Sequence, residues 1–175
     1  MDTKAIAESE VEERIHPGST DFNVEDRLAI INLCNSYAAG YDADELEGWC
    51  ELFTDNPKCI VYLADAEPNV FSGDDFRNGF KQMRDSASEH RIKPLHYNTN
   101  LRVIEQSDRR AVAESYMLYV PLDVSVLRDA VQTLSNTRIT GTARYLFSLL
   151  KGEDGVWRID KYSIKFDQLV VEATL

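Results

Sequence analysis

The sequence predicts an α+β domain in which three N-terminal helices pack into a strongly curved, mostly antiparallel sheet that encloses a pocket. Three observations carry this prediction. Apolar residues recur at helical spacing through the first half of the chain, the period switches to two after Pro94, and four long β-type runs follow, separated by short turn signals and one longer loop.

The first helix opens at Asn23, an N-cap residue followed by Glu25 and Asp26, where acidic side chains favour the helix dipole. Ile30, Leu33, Cys34, Tyr37 and Tyr41 then recur at helical spacing, and the helix is expected to end near Gly40. A second amphipathic segment carries Leu46, Trp49, Cys50 and Phe53 on one stripe and is expected to stop before Asn56-Pro57. Cys59 to Leu63 reads as a short apolar strand. After a turn at Ser72-Gly73, Asp74 and Asp75 open a third helix whose buried stripe is predicted to be Phe76, Phe80, Met83 and Ala87. The β-type runs are 95–105, 110–120, 137–150 and 156–167, divided by Ser107-Asp108, a loop around 122–135, and Gly152 to Gly155. Residues 1–21 contain Glu8, Glu10, Glu12, Glu13 and Pro17-Gly18 with little to bury, so they are expected to form a flexible acidic arm ahead of a single domain over 22–175.

Composition narrows the function classes. A chain of 175 residues with 43% hydrophobic content suits one domain with a full core. A formal charge of -11, from 19 basic and 30 acidic residues, excludes nucleic acid and anionic membrane as expected partners. That leaves a small molecule or another protein. Cys34, Cys50 and Cys59 are odd in number and lack metal-type spacing, which reads as buried thiols in a reducing compartment. The N-terminal stretch is polar and acidic and no 18-residue apolar run occurs, so a cytoplasmic location is expected. Gly-x-Gly-x-x-Gly, P-loop and Gly-x-Ser-x-Gly motifs are absent and the core has one histidine, so a site with no cofactor and no metal is expected.

The chemistry centres on Leu95 to Arg102. At a side-chain period of two, His96, Asn98, Asn100 and Arg102 share one side of the strand, opposite Leu95, Tyr97, Thr99, Leu101 and Val103. Such a polar stripe is either a solvent-facing edge or the floor of a cavity, and histidine is the side chain that changes charge near neutrality unassisted. Asp42 follows a helix end, where a carboxylate opposes the negative end of the dipole unless something cationic faces it. It is therefore a turn residue or the partner of His96. His16, in the arm, and His90, at a helix end, read as structural or solvated. Tyr37, Tyr41, Tyr62, Tyr97, Tyr116, Tyr119 and Trp49 are core aromatics or walls for a flat organic ligand, with Tyr62 and Tyr116 the first to be expected in the pocket. Arg144 alternates with apolar residues and faces either the pocket, as an oxyanion or leaving-group donor, or a subunit interface. Lys165 and Asp167 are expected at the surface or an interface.

Tyr41-Asp42 at a helix end, Trp49-x-x-x-Phe53-x-Asp55, a histidine opening the next long strand and Asp154-Gly155-Val156-Trp157 before the last strand together resemble the NTF2-like (SnoaL-like) superfamily over residues 23–170. Within it, His96-Tyr97-x-Thr99-Asn100-Leu101-Arg102 is similar to the hexachlorocyclohexane dehydrochlorinases. Tyr41-Asp42 with Ile60-x-Tyr62 and Gly141 is similar to the scytalone dehydratases. The resemblance implies a cofactor-independent lyase, a dehydratase or a related elimination or isomerisation enzyme, acting on a small cyclic substrate. It implies an Asp42–His96 general base, with Tyr62, Tyr116 and Arg144 as further catalytic residues and Tyr41, Tyr37, Trp49, Asn98 and Asn100 contacting substrate. Tyr116 falls where the dehydratases have a second active-site histidine, and Arg144 where they have a serine. The superfamily also implies alternatives: a polyketide cyclase or ketosteroid-like isomerase, or the noncatalytic small subunit of a ring-hydroxylating oxygenase. A homodimer or homotrimer is expected, because open sheets bury an outer face in symmetric contacts. For a neutral imidazole base, activity is expected to fall on acidification through the imidazole titration.

Overall fold

The computed structural model describes residues 21–63, 67–123 and 139–169. The acidic arm apart from Asp21, His16, and most of the loop around 122–135 lie outside the described residues. The elements are α1 (Val24–Asp42), α2 (Leu46–Cys50), β1 (Phe53–Leu63), β2 (Asn69–Ser72), α3 (Gly73–Glu89), β3 (Ile92–Gln106), β4 (Arg110–Asp123), β5 (Gly141–Lys151) and β6 (Trp157–Leu169). The strands form a curved, unclosed sheet in the order β2-β1-β6-β5-β4-β3, antiparallel except between β1 and β6. Its inner face is covered by the helices. No helix among the described residues is long and apolar enough to cross a membrane.

Side-chain alternation decides which residues meet the helices. On β4 the inner positions are Ala111, Ala113, Ser115 and Met117, and on β5 they are Ala143, Tyr145, Phe147 and Leu149, all buried. The inward residues of β4 are mostly small, while the large ones on β5 join Tyr37 of α1, Trp49 of α2, Phe76 and Phe80 of α3, and Tyr162 of β6 in one aromatic core. Gly40 matters to this packing: a Cβ there would lie 3.4 Å from Cδ1 of Trp49, whose indole N–H donates to the Tyr37 carbonyl at 2.9 Å.

The helix α1 is pinned near its start. Asn23 caps it, accepting from the Asp26 N–H at 2.9 Å. Arg27 donates through Nε to Gln106 Oε1 at 2.7 Å and through Nη1 to the Val103 carbonyl at 3.1 Å. The neighbouring Asp26 reaches the two central strands, its Oδ1 accepting from Lys151 Nζ of β5 at 2.7 Å and from Trp157 Nε1 of β6 at 2.9 Å. With one end fixed to β3, β5 and β6, the other end of α1 is delivered to a set place above β3.

Three elements differ from expectation. The second helix stops at Cys50, and Phe53 opens β1 instead of closing the helix, because its neighbourhood pairs with β6 at Phe53↔Ile159. Asn56-Pro57 is accommodated inside this strand, where the register shifts between Phe53 and Lys58; a proline lacking an N–H is tolerated at such an irregularity. The short edge strand β2, paired with β1 at Cys59↔Phe71, was not expected. On α3, Met83 is 51% exposed and the inward stripe runs Phe76, Phe80, Arg84 at intervals of four.

Lys151 first and Trp157 second hold the Asp26 carboxyl below the usual carboxylate range. Its stabilising contribution is therefore present above that range and lost as the pH falls through the lowered pKa. Asp26→Ala is expected to lower the urea midpoint at neutral pH, with variant and wild type converging in strong acid; urea titrations over a pH series check this.

Candidate functional site

Asp42 is the last residue of α1, and both its oxygens are taken by a single residue of β3. Oδ2 accepts from the His96 backbone N–H at 2.6 Å and Oδ1 from the imidazole Nδ1 at 2.6 Å. The side chains are 15% and 14% exposed. A carboxylate only accepts, so the bond places a proton on Nδ1, and in the neutral ring Nε2 is then the nitrogen that keeps its lone pair. Among the described residues Nε2 makes no hydrogen bond. Helix α1 ends where its carbonyls carry partial negative charge, so the carboxylate gains nothing from the helix and relies on the two N–H groups of His96.

Two tyrosines frame the imidazole. The Tyr41 ring meets it edge to face at 5.3 Å between centroids, and Tyr119, the cross-strand partner of His96, lies at 5.1 Å. Burial pushes the Tyr41 phenol up to about 12, and burial with the Asp42 charge beside it raises that of Tyr119. Both hydroxyls therefore keep their protons at neutral pH. Asn98 lies on the same side of β3, donating to the Cys34 carbonyl at 3.3 Å, while its Oδ1 is buried with no partner among the described residues.

The structure separates the other predicted site residues from this cluster. Asn100 has φ 53° at a register shift between Thr99 and Arg102, so the polar stripe breaks there. Asn100 and Arg102 are exposed, and Leu101 and Val103 turn inward against the core. Tyr116, 43% exposed, and Arg144 alternate with the buried Ser115, Met117, Ala143 and Tyr145, which puts them on the outer face of the sheet. There Arg144 sits 5.5 Å from the Tyr116 ring and 3.5 Å from Asp167. Tyr62 pairs with Lys165 and alternates with the inward Val61, so it belongs to the same outer face. The resemblance matches positions along a strand without the side to which each points, so it does not separate these residues from the dyad.

Tyr37 and Trp49, expected to touch substrate, are only 5% and 1% exposed and form the centre of the aromatic core. Burial raises the Tyr37 phenol well above its ordinary value. The thiols of Cys34 and Cys59, both buried, are pushed up to about 12, and burial also raises that of the half-buried Cys50.

Two residues near the dyad escaped the sequence reading of the site: Tyr119, weighed only as one aromatic among several, and Arg84. Arg84 stands over the Tyr41 ring at 5.1 Å and pairs with Asp44 at 2.6 Å. The interval of four from Phe76 and Phe80 was the available signal. Beside these residues lies a cleft of about 310 Å³, bordered by Asp42, Asp44, Arg84, Arg91, Lys93 and Pro94. Among the described residues no group of His, Cys, Asp or Glu is arranged to hold a metal ion.

Residues 23–163 match the family model described as a SnoaL-like domain. No curated protein matches the sequence. Solved structures share the fold at low identity. ActVI-ORFA of Streptomyces coelicolor is 12% identical with a TM-score of 0.67, over 85% of this chain and 100% of that one. A chain from Novosphingobium aromaticivorans, assigned as the beta subunit of an aromatic-ring-hydroxylating dioxygenase, is 16% identical with a TM-score of 0.63, over 87% and 97%. A protein of unknown function with a cystatin-like fold from Nostoc punctiforme is 18% identical with a TM-score of 0.63, over 85% and 96%.

Trp49→Ala is expected to cost about 3–5 kcal/mol of stability, the range for deleting a large buried aromatic. Chemical denaturation checks this, and a near-neutral result would mean that Trp49 lines an open cavity.

Proposed function

The chain belongs to the SnoaL-like domain family, and from that premise we propose that it is a cofactor-independent enzyme using Asp42 and His96 as a general base on a small cyclic organic substrate. The observation that carries the reading is the double grip of Asp42 on His96, through Nδ1 and through the backbone N–H. It fixes the ring and its tautomer and leaves Nε2 as the acceptor for a substrate proton. When Nε2 takes a proton from carbon, the pair left behind forms a double bond, and the imidazolium is stabilised by the carboxylate on its other side. Departure of a hydroxyl or halide from the neighbouring carbon completes an elimination; return of the proton at another carbon completes an isomerisation. Dehydration or a related elimination is the first of these we favour. Tyr41 and Tyr119, protonated at neutral pH, are the donors we assign to a carbonyl or leaving group, the role that Tyr62, Tyr116 and Arg144 cannot take from the outer face without a partner chain.

That outer face supports a second role for those three residues. Tyr62, Lys165, Arg144 and Tyr116 lie in register across four strands, as a row suited to contact with another copy in a homodimer or homotrimer. The same face, with the likeness to a dioxygenase beta subunit, favours the runner-up, a noncatalytic subunit held by a larger partner.

Asp42→Asn keeps the shape of the side chain but removes one acceptor and the charge. Turnover is expected to fall on the order of 10²–10⁴-fold, with the circular dichroism spectrum unchanged. A screen of enolisable and hydroxylated cyclic ketones supplies the assay; equal turnover by the variant removes the dyad, and a native mass showing an obligate hetero-complex favours the subunit role.

A further inference from the structure

We infer that Arg84 is the substrate-oxygen anchor of this site, and that the substrate carries a carboxylate, received by the guanidinium in place of Asp44. The inference rests on the Asp42–His96 reading for its place in catalysis. Its own grounds are separate.

A base that removes a proton from carbon needs a cationic or hydrogen-bonding group at the oxygen that gains charge or orients the molecule. The residues expected from sequence to do this lie on the other side of the sheet. On the side of His96, the guanidinium of Arg84 faces Tyr41, the residue that also packs on the imidazole, and shares its cleft with Asp42. The Arg84 side chain is 11% exposed, and its Nη1 is buried without a partner among the described residues. A guanidinium held this far out of water gains more from a carboxylate on its Nε–Nη2 edge than a solvated arginine does.

The present counterion is easily replaced. Asp44 meets Arg84 through Nε at 2.9 Å and Nη2 at 2.6 Å, yet its own side chain is 67% exposed. An exposed carboxylate in such a pair adds little to stability and swings into water at low cost, whereas the guanidinium is held by its surroundings. Asp44 thus occupies, with its own carboxylate, the position that a ligand carboxylate would take, and vacating it restores the planar fork that binds carboxylates through two parallel bonds. The ends of α1 and α3 that border the cleft are C-termini, whose partial negative charge accounts for the exposed Arg91 and Lys93 nearby. Dipole matching needs no burial, so it does not account for Arg84. A volume of about 310 Å³ is enough for a single-ring acid.

Benzoate, benzamide and inorganic phosphate are the probes, with binding read by calorimetry and by the ¹⁵Nε–H resonance of Arg84 in the wild-type protein. Benzoate is expected to bind in the millimolar range, at least tenfold more tightly than benzamide or phosphate, and to shift the Arg84 resonance. Arg84→Gln should weaken benzoate at least tenfold, Arg84→Lys less, and Asp44→Asn should tighten it. Asp42→Asn should still bind benzoate, so a failed dyad and a failed anchor give different results. Equal benzoate affinity in Arg84→Gln, a preference for benzamide or phosphate, or no wild-type binding below 10 mM overturns the inference. If Arg84→Gln does not fold, an unmoved Arg84 resonance in the wild type overturns it alone.

Discussion

One carboxylate makes the site. Asp42 stands at a helix end that offers it no favourable dipole, and it is held there by two N–H groups of one residue on a neighbouring strand. The bond to the backbone fixes where the strand passes, and the bond to Nδ1 fixes how the imidazole turns. Neither would suffice alone: a single bond to the ring leaves the carboxylate free to swing, and a single bond to the backbone leaves the ring free to flip. Together they set Nε2, and the tyrosines on either side, in one arrangement.

The rest of the fold serves that placement. Asp26 and Arg27 fasten the start of α1 to three strands, so its last residue is located by a rigid rod. Gly40 lets the indole of Trp49 lie against the helix near its end, and the aromatic core beneath holds the helix at a constant height above the sheet. The aromatic residues that seemed to promise a large pocket mostly do this structural work. What remains for a ligand is the rim, where Asp42, Arg84 and the two helix ends converge.

Much of this was legible in the residues. The cap at Asn23, the buried stripe of α1 and the four strands follow from spacing and turn chemistry, and His96 and Asp42 were the pair that residue type and resemblance singled out. The failures were about faces. On β4 the inward residues are Ala111, Ala113 and Ser115 while Val112 and Tyr116 look outward, so hydrophobicity pointed the wrong way. Tyr62 sits in an apolar run with no alternation to read. The two register shifts of β3 move the partner of His96 from the Pro121 that the turn alone would give to Tyr119, which hid that tyrosine's place beside the imidazole. Arg84 was hidden by its charge, since a helical arginine is assigned to solvent unless its neighbours at intervals of four are weighed.

The central claim concerns a proton, and it is open to direct observation without any substrate. Long-range ¹H–¹⁵N correlation on the imidazole of His96 at a pH where the ring is neutral is expected to show a protonated Nδ1 and a bare Nε2, with the Nδ1 proton shifted far downfield by Asp42. An Nε2–H tautomer, or a ring averaging between the two, would contradict the account.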